Sequence, residues 1–307
     1  MGGGRWDASD WTTYASTKSH DTKTTEEIFE SSLHEDLDPR MIKLRESRDS
    51  EDKDHSTPVI VALDVTGSMG SVLDVMARTG LNTLVTEIYE RKPVSDPHIM
   101  CMGVGDVAAR DEAPLQCTQF EADIRIAEQL EKLYLEYGGG GNHYESYILP
   151  WYFAALKTSS DAFEKRGKKG YLFTIGDEEP TPEVTAEQLE KVFGHKVQRG
   201  YTSEELLDLV SKQWEVFHIM VEEGSYYRYA KDKVVKGWTE LLGQRAIKLS
   251  DHTKLAEVIV STIQVCEGHN VDEVTSSWDG DTSLVVKRAV SDLTETTVEE
   301  EKGVVNL

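Results

Sequence analysis

Between residues 58 and 269 short apolar runs alternate with amphipathic stripes, and this alternation restricts the possible folds more than any other feature of the chain. Runs at 59–65 (VIVALDV), 99–104, 115–120, 171–175, 216–221 and 246–249 have the length of strands. Several are apolar throughout, as strands covered on both faces by helices are. Helical stripes lie between them. Leu73, Ala77, Leu81, Leu84 and Ile88 follow at steps of three or four; so do Ile126, Leu130, Leu133 and Tyr137, and Leu255, Ile259, Ile263 and Cys266. The pattern predicts an α/β fold: a Rossmann-like, doubly wound, mostly parallel central sheet with helices on both faces and right-handed crossovers. Residues 105–114 are too few for a crossover helix, so 115–120 is expected as an antiparallel edge strand on 99–104.

The flanks differ in composition. Residues 1–57 form a polar N-terminal arm with two short helical signals. One spans 24–33, where Thr24 and Glu27 read as a capping box ahead of Ile28, Phe29 and Leu33. The other opens at Asp38-Pro39 and runs to about Arg48, with 47–57 reading as a linker. Neither helix buries enough surface to stand alone, so each packs on the main domain or stays mobile. Trp6, Trp11 and Tyr14 are anchors either for a partner or for this same domain. Residues 270–307 are an acidic, Ser/Thr-rich tail whose apolar patch at Leu284-Val285-Val286 predicts a docked strand or helix around 282–293.

Charge excludes several functions. The formal net charge is −23, and each of the three segments is acidic. A nucleic-acid binder lacks its basic footprint here, and an anionic membrane surface is disfavoured for the same reason. Residues 1–25 lack an apolar signal-peptide core, Trp6 stands where a myristoylation signal has Ser or Thr, and no run approaches the ~20 apolar residues of a membrane helix. Cys101, Cys117 and Cys266 have no CxxC spacing, so neither a disulfide frame nor a zinc knuckle is indicated. Cytoplasmic location is the default expectation.

In a parallel α/β sheet, ligands bind outside the carboxyl ends of the strands. The first strand ends in Asp64-Val65-Thr66-Gly67-Ser68, the strand 171–175 in Gly176-Asp177-Glu178-Glu179, and 99–104 in Gly105-Asp106. Gly138–Gly141 precede Asn142-His143-Tyr144-Glu145-Ser146 and a helix. Carboxylates gathered at one edge repel by about 4 kcal/mol per pair at 4 Å and an effective dielectric near 20. A divalent cation is the simplest group that holds them together. In Asp64-x-Thr66-x-Ser68, alternate residues of an extended loop place one carboxylate and two hydroxyls toward one ion, a set suited to Mg²⁺ or Mn²⁺; the plainer alternative is a strand followed by a helix start capped by Ser68. The glycine run lacks the Gly-Lys-Ser/Thr of a P-loop and reads as a turn beside the metal. His143 reads as a surface group beside the metal loop rather than a ligand or base. Asp106 and Asp111 either widen the acidic rim or lie in a solvated loop. There is no nucleophile elbow, no HExxH and no glycosidase-like carboxylate pair.

The stretches VIVALDVTGSMG and FTIGDEEP, with the strand–helix order between them, resemble a von Willebrand factor A (VWA) domain carrying a metal-ion-dependent adhesion site (MIDAS). The resemblance covers 58–269, about two thirds of the chain. It implies metal-linked roles for Asp64, Thr66, Ser68 and Asp177, with Thr66 in a place usually held by Ser. The fourth position, commonly Thr, falls in GGGGNHYES, which has none; Asn142 with Glu145 beside it fills that place, with Ser146 in reserve. The implied function is a metal-dependent protein–protein interaction module, its Mg²⁺ or Mn²⁺ completed by a carboxylate of a partner whose surface around that acid is basic. Family context adds an adaptor role in a cytosolic complex, beside an AAA+ ATPase or a phage or defence assembly. The alternative is a metal-dependent hydrolase acting on a phosphoester or nucleotide.

Overall fold

The structure, a computed structural model, describes residues 4–109, 111–136 and 142–293, with Ser68 described by its backbone alone. Strands β1 (Thr57–Asp64), β2 (Pro97–Val104), β3 (Leu115–Cys117), β4 (Gly170–Gly176), β5 (Trp214–Val221) and β6 (Ala246–Leu249) form one sheet in the order β6-β5-β4-β1-β2-β3. All pairings are parallel except β2–β3, which is antiparallel with Met102 opposite Cys117 and Val104 opposite Leu115. The sequence expectation of a doubly wound sheet with one antiparallel edge strand therefore holds. The short 105–114 connection is the cause, since it cannot carry the chain back across the sheet.

Alternation along β1 divides the core. Val59, Val61 and Leu63 face one side, where they join helices α2 (Gly70–Val75), α3 (Leu81–Arg91), α9 (Leu255–Cys266) and α10 (Gly280–Val290). Ile60 and Ala62 face the other, under α5 (Ile148–Leu156), α6 (Ala186–Phe193), α7 (Ser203–Val210) and α8 (Ser225–Leu242). Every side chain of the stripes beginning at Leu73 and Leu255 is buried. A π turn at Met76–Gly80 separates α2 from α3. The third stripe is helical only over α4 (Arg125–Leu130); Leu133 is buried beyond the helix end, and Tyr137 lies outside the described residues.

The arm departs from its sequence reading. A helix that was not anticipated, α1 (Ala8–Lys18), starts at Asp7, whose carboxylate accepts from the Ser9 N–H at 2.7 Å. Trp6 and Trp11 are buried, their rings 5.8 Å apart, and Trp6 Nε1 donates to Asn82 Oδ1 at 3.3 Å. They pack on this domain. The capping box at Thr24 and Glu27 is present, but the helix it starts is only Thr25–Ile28. The helix expected from Asp38-Pro39 to Arg48 does not form. Asp38 Oδ1 accepts from the Arg40 N–H at 2.9 Å, closing a local turn, and Arg45–Ser47 then runs as a strand parallel to Thr158–Ser160. Tertiary bonds override the helical start here: Arg45 donates its N–H to the Lys157 carbonyl at 2.9 Å and a guanidinium N–H to the Cys117 carbonyl at 3.0 Å. The 47–57 stretch is docked, not free, with Asp49 accepting from Ser56 and from Arg166.

At the other end, the docked element is a helix: Val286 and Val290 of α10 are buried, as is Trp278 before it, under the Arg91 guanidinium 3.5 Å from its ring centroid. The three cysteines are free and buried, as small core residues are.

Arg45→Met would leave the Cys117 and Asp36 carbonyls without the donor they share. An unsatisfied buried acceptor costs about 1–3 kcal/mol. Urea unfolding should show a lower midpoint by about 2 kcal/mol at unchanged m; an unchanged midpoint would mean that this arginine does not hold the arm.

Candidate metal centre

The strand order reverses between β4 and β1, because the chain leaves β1 toward β2 and β3 and returns on the other side. The crevice of a doubly wound sheet lies at such a reversal, beyond the carboxyl ends of the strands. Register brings Asp64 level with Val104, and Leu63 level with Ile175. The loops after Asp64, Val104 and Gly176 therefore open onto one edge.

Asp64 is fully buried there. Its Oδ1 accepts from the Thr66 N–H at 2.9 Å and the Thr66 hydroxyl at 2.6 Å, and its Oδ2 accepts from the Tyr147 hydroxyl at 2.9 Å. Burial pushes its pKa up to about 7, with Asp177 adding to the rise, against the lowering effect of the Thr66 and Tyr147 bonds. Asp177 is also fully buried, and its Oδ2 accepts from the Tyr226 N–H at 2.9 Å at the start of α8, where the positive helix end favours a carboxylate. A side chain on Gly224 would place Cβ 2.2 Å from that of Asp177, so only glycine lets the helix approach.

Glu145 is buried, and its Oε2 has no hydrogen-bond partner among the described residues. Burial, then the charges of Asp64, Glu178, Asp106 and Asp111, push it up to about 11. Glu178 Oε2 is likewise buried and unpartnered, and burial with Asp64, Asp177 and Asp106 raises it to about 8. Asp106, also buried, accepts from the Ala108 and Ala109 N–H groups at 2.8 and 3.0 Å and from the Ser146 hydroxyl at 3.2 Å. Asp111 accepts from the Asp106 N–H at 2.7 Å and is raised by burial. Neither belongs to a solvated loop.

Of the residues selected from sequence, Asp64 and Thr66 are bonded directly, while Asp177 and Glu145 share the electrostatic field of Asp64. Asn142 points its amide at Asp106 Oδ2, 2.5 Å away. Ser68 stands in the turn Gly67–Met69, its side chain outside the described residues, as are Gly138–Gly141. Ser146, the reserve, spends its hydroxyl on Asp106 and on the Val107 N–H. His143 is exposed, its ring stacked 5.6 Å from that of Tyr226.

Two contributors were missed. Glu178 lies in the FTIGDEEP stretch, but sequence does not say which of three consecutive acids turns inward. Tyr147 left no local signal at all. It reaches Asp64 because Gly176 lacks a side chain: a Cβ there would fall 2.0 Å from the Tyr147 hydroxyl. Burial and the surrounding carboxylates keep that hydroxyl protonated. Its ring packs edge-on against His218 and Trp238, at 5.0 and 5.7 Å.

Buried carboxylate oxygens without donors are satisfied by protons or by a cation. Among the described residues, no three ligating atoms of this edge from acids, His or Cys lie within 4.8 Å of one another; the trio that does is Glu223, Asp251 and His252. That trio is already satisfied, with Glu223 Oε2 accepting from the His252 N–H and bonded to its Nδ1 at 2.6 Å. The edge offers an ion two or fewer close carboxylates and the Thr66 hydroxyl, a donor set that fits Mg²⁺ or Mn²⁺, which keep several waters, better than a carboxylate cage for Ca²⁺.

Fold and edge together define a class: a doubly wound α/β domain with buried carboxylates at the edge where its strand order reverses. No protein-family model matches the sequence, and no curated protein does. Similar solved structures include the pilus adhesin SpaC of Lactobacillus rhamnosus GG in its open conformation (12% identity, TM-score 0.44), covering 68% of this chain and 30% of the adhesin. A von Willebrand factor type A protein from Catenulispora acidiphila (11%, 0.38) covers 71% of this chain and 44% of its own. The conserved hypothetical protein BatB from Bacteroides thetaiotaomicron (12%, 0.40) covers 72% and 99%. The chain thus spans under a third of the adhesin and under half of the Catenulispora protein. No helix among the described residues is long and apolar enough to cross a membrane.

Proposed function

We propose that this chain is a metal-dependent protein-interaction module of the von Willebrand factor A kind. Mg²⁺ or Mn²⁺ is held at the crevice by Asp64, Thr66, Ser68, Glu145 and Asp177, with Glu178 added to the sequence-derived set and Asn142 acting through Asp106. The observation that carries this reading is the pair of buried, unpartnered oxygens, Glu145 Oε2 and Glu178 Oε2, beside buried Asp64 and Asp177. Bound there, the ion would neutralise those charges and keep a position for an incoming carboxylate. The acidic rim then selects a partner with basic residues around that acid, consistent with an adaptor in a cytoplasmic complex. Assignment to an AAA+ ATPase or a phage or defence assembly follows from the sequence resemblance alone. The hydrolase alternative would have to take its base from the edge carboxylates, since the His143 ring stacks outward on Tyr226 and His218 is sealed under Trp238 with its pKa driven well down by burial.

Titration with Mn²⁺ followed by electron paramagnetic resonance should show one saturable site that Asp64→Ala abolishes. Capture from source lysate should retain a partner with Mg²⁺ and lose it in EDTA or with Asp64→Ala. Wild-type turnover of phosphoesters in Mn²⁺ that disappears in Asp64→Ala would replace the adaptor reading with the enzymatic one.

A further inference from the structure

Away from the metal edge, a cavity of about 570 Å³ opens where the N-terminal arm meets α4 and the segment before it. Its volume is that of a small-molecule site. One wall is apolar, formed by Leu37, Met41 and Ile42; Met41 is 65% exposed, an unusual position for a large apolar side chain without a partner. Arg45, only 7% exposed, also lines it.

Arg45 is the cation of this site with no carboxylate bonded to it, since the nearby Asp36 carboxylate is bonded to Lys132. Its guanidinium donates to the Cys117 and Asp36 carbonyls; among the described residues its Nε–H has no acceptor and none of its hydrogen bonds goes to a carboxylate. The other charges of the wall are taken up or solvated. Lys132 is bonded to Asp36 at 3.0 Å, Arg125 holds Asp123 and Glu121 at 2.8 and 2.9 Å, and Glu35 and Glu128 are exposed. A buried guanidinium is costly, and burial pulls its pKa down, with the nearby Asp36 carboxylate only partly offsetting the fall. In a chain of net charge −23, such a buried guanidinium attracts an anion as a specific group, where the surface at large repels it.

We propose that this cavity binds a small organic carboxylate, its acid group on Arg45 and its apolar body against Leu37, Met41 and Ile42. The site is independent of the metal edge, and its occupant would tie the arm to α4. Gln119 and Gln129 also line the cavity, Gln129 Oε1 accepting from the Gln119 N–H at 2.6 Å.

The test is isothermal titration of the full chain with octanoate, with octanamide and acetate as controls. EDTA is present throughout, so that no carboxylate is read out at a cation. Octanoate should bind saturably at one site, and octanamide and acetate should not. Arg45→Lys, which keeps the charge but loses the planar fork, should weaken octanoate about tenfold. Gln129→Glu keeps the acceptor for Gln119, exchanges its 3.3 Å donor to Glu121 for a negative charge on the wall, and so should abolish binding without touching Arg45. It decides the matter if the lysine variant fails to fold. Non-saturable heats, equal binding of octanamide, or an unchanged affinity in folded Gln129→Glu would overturn the proposal.

Discussion

Without divalent cations, the protein should lose stability as pH rises from about 6.5 to about 8.5, and Mg²⁺ or Mn²⁺ should remove most of that loss. The folded-state pKa values of Asp64, Glu178 and Glu145 are raised to about 7, 8 and 11. Above the ordinary carboxylate range the unfolded chain has released these protons while the folded chain retains them, so stability falls with pH until each folded pKa is passed. Asp64 stops contributing near pH 7 and Glu178 near 8, while Glu145 contributes across the whole window.

Below about pH 6.5 an opposite slope intervenes. His98 and His218 are buried with pKa values pushed down, His98 to about 4, so the unfolded chain takes up protons there that the folded chain does not. The window above that range isolates the carboxylates. Discounted for their mutual coupling, the loss is on the order of 3 kcal/mol, or about 5–10 °C in Tm for a domain of this size. Asp64→Asn should raise Tm in EDTA at about pH 8.5 and abolish the response to cation. A flat profile in EDTA, or the same fall with and without Mg²⁺, would remove the cation from the account of this edge.

Gly176→Ala should cost about 3 kcal/mol and lose the cation response as well. An alanine Cβ would sit 2.0 Å from the Tyr147 hydroxyl and 2.5 Å from Cζ, and the tyrosine is fully buried with Trp238 and His218 against its ring. It cannot yield without repacking, which costs about 1–3 kcal/mol, and the displaced hydroxyl leaves Asp64 Oδ2 without its donor, adding about 1–2 kcal/mol. Tyr147→Phe separates the two: it keeps the packing, removes the hydrogen bond and should cost only the second part. Gly70→Ala is the control. Its Cβ meets nothing within 4 Å and its φ of −54° is helical, so alanine should be neutral or stabilise by up to about 1 kcal/mol. Urea midpoints of the four proteins check the order; Gly176→Ala at wild-type stability would mean that Tyr147 is not held against that strand.

Much of this was legible in the residues. The apolar runs and helical stripes of 58–269 determined the layered α/β sheet, because burial on both faces requires unbroken apolar strands while burial on one face of a helix requires the three-and-four spacing. The short 105–114 connection determined the antiparallel edge, and strand-end acids such as Asp64 and Asp177 marked the edge to examine. Each is a local or periodic property, and such properties are written along the chain. The arm and the inner chemistry of the edge depended on contacts far apart in sequence. Asp38-Pro39 has the residues of a helix start, yet the carbonyls of Lys157 and Cys117 draw Arg45 into an extended path. Tyr147 reaches Asp64 across 83 positions because β4 ends in glycine. Glu178 turns inward, beside Asp64 and Asp177, by packing that no neighbour in sequence announces. Sequence periodicity specifies which faces are buried; which polar atoms meet inside that buried volume, and with what protonation, is decided only when the layers close and water is excluded.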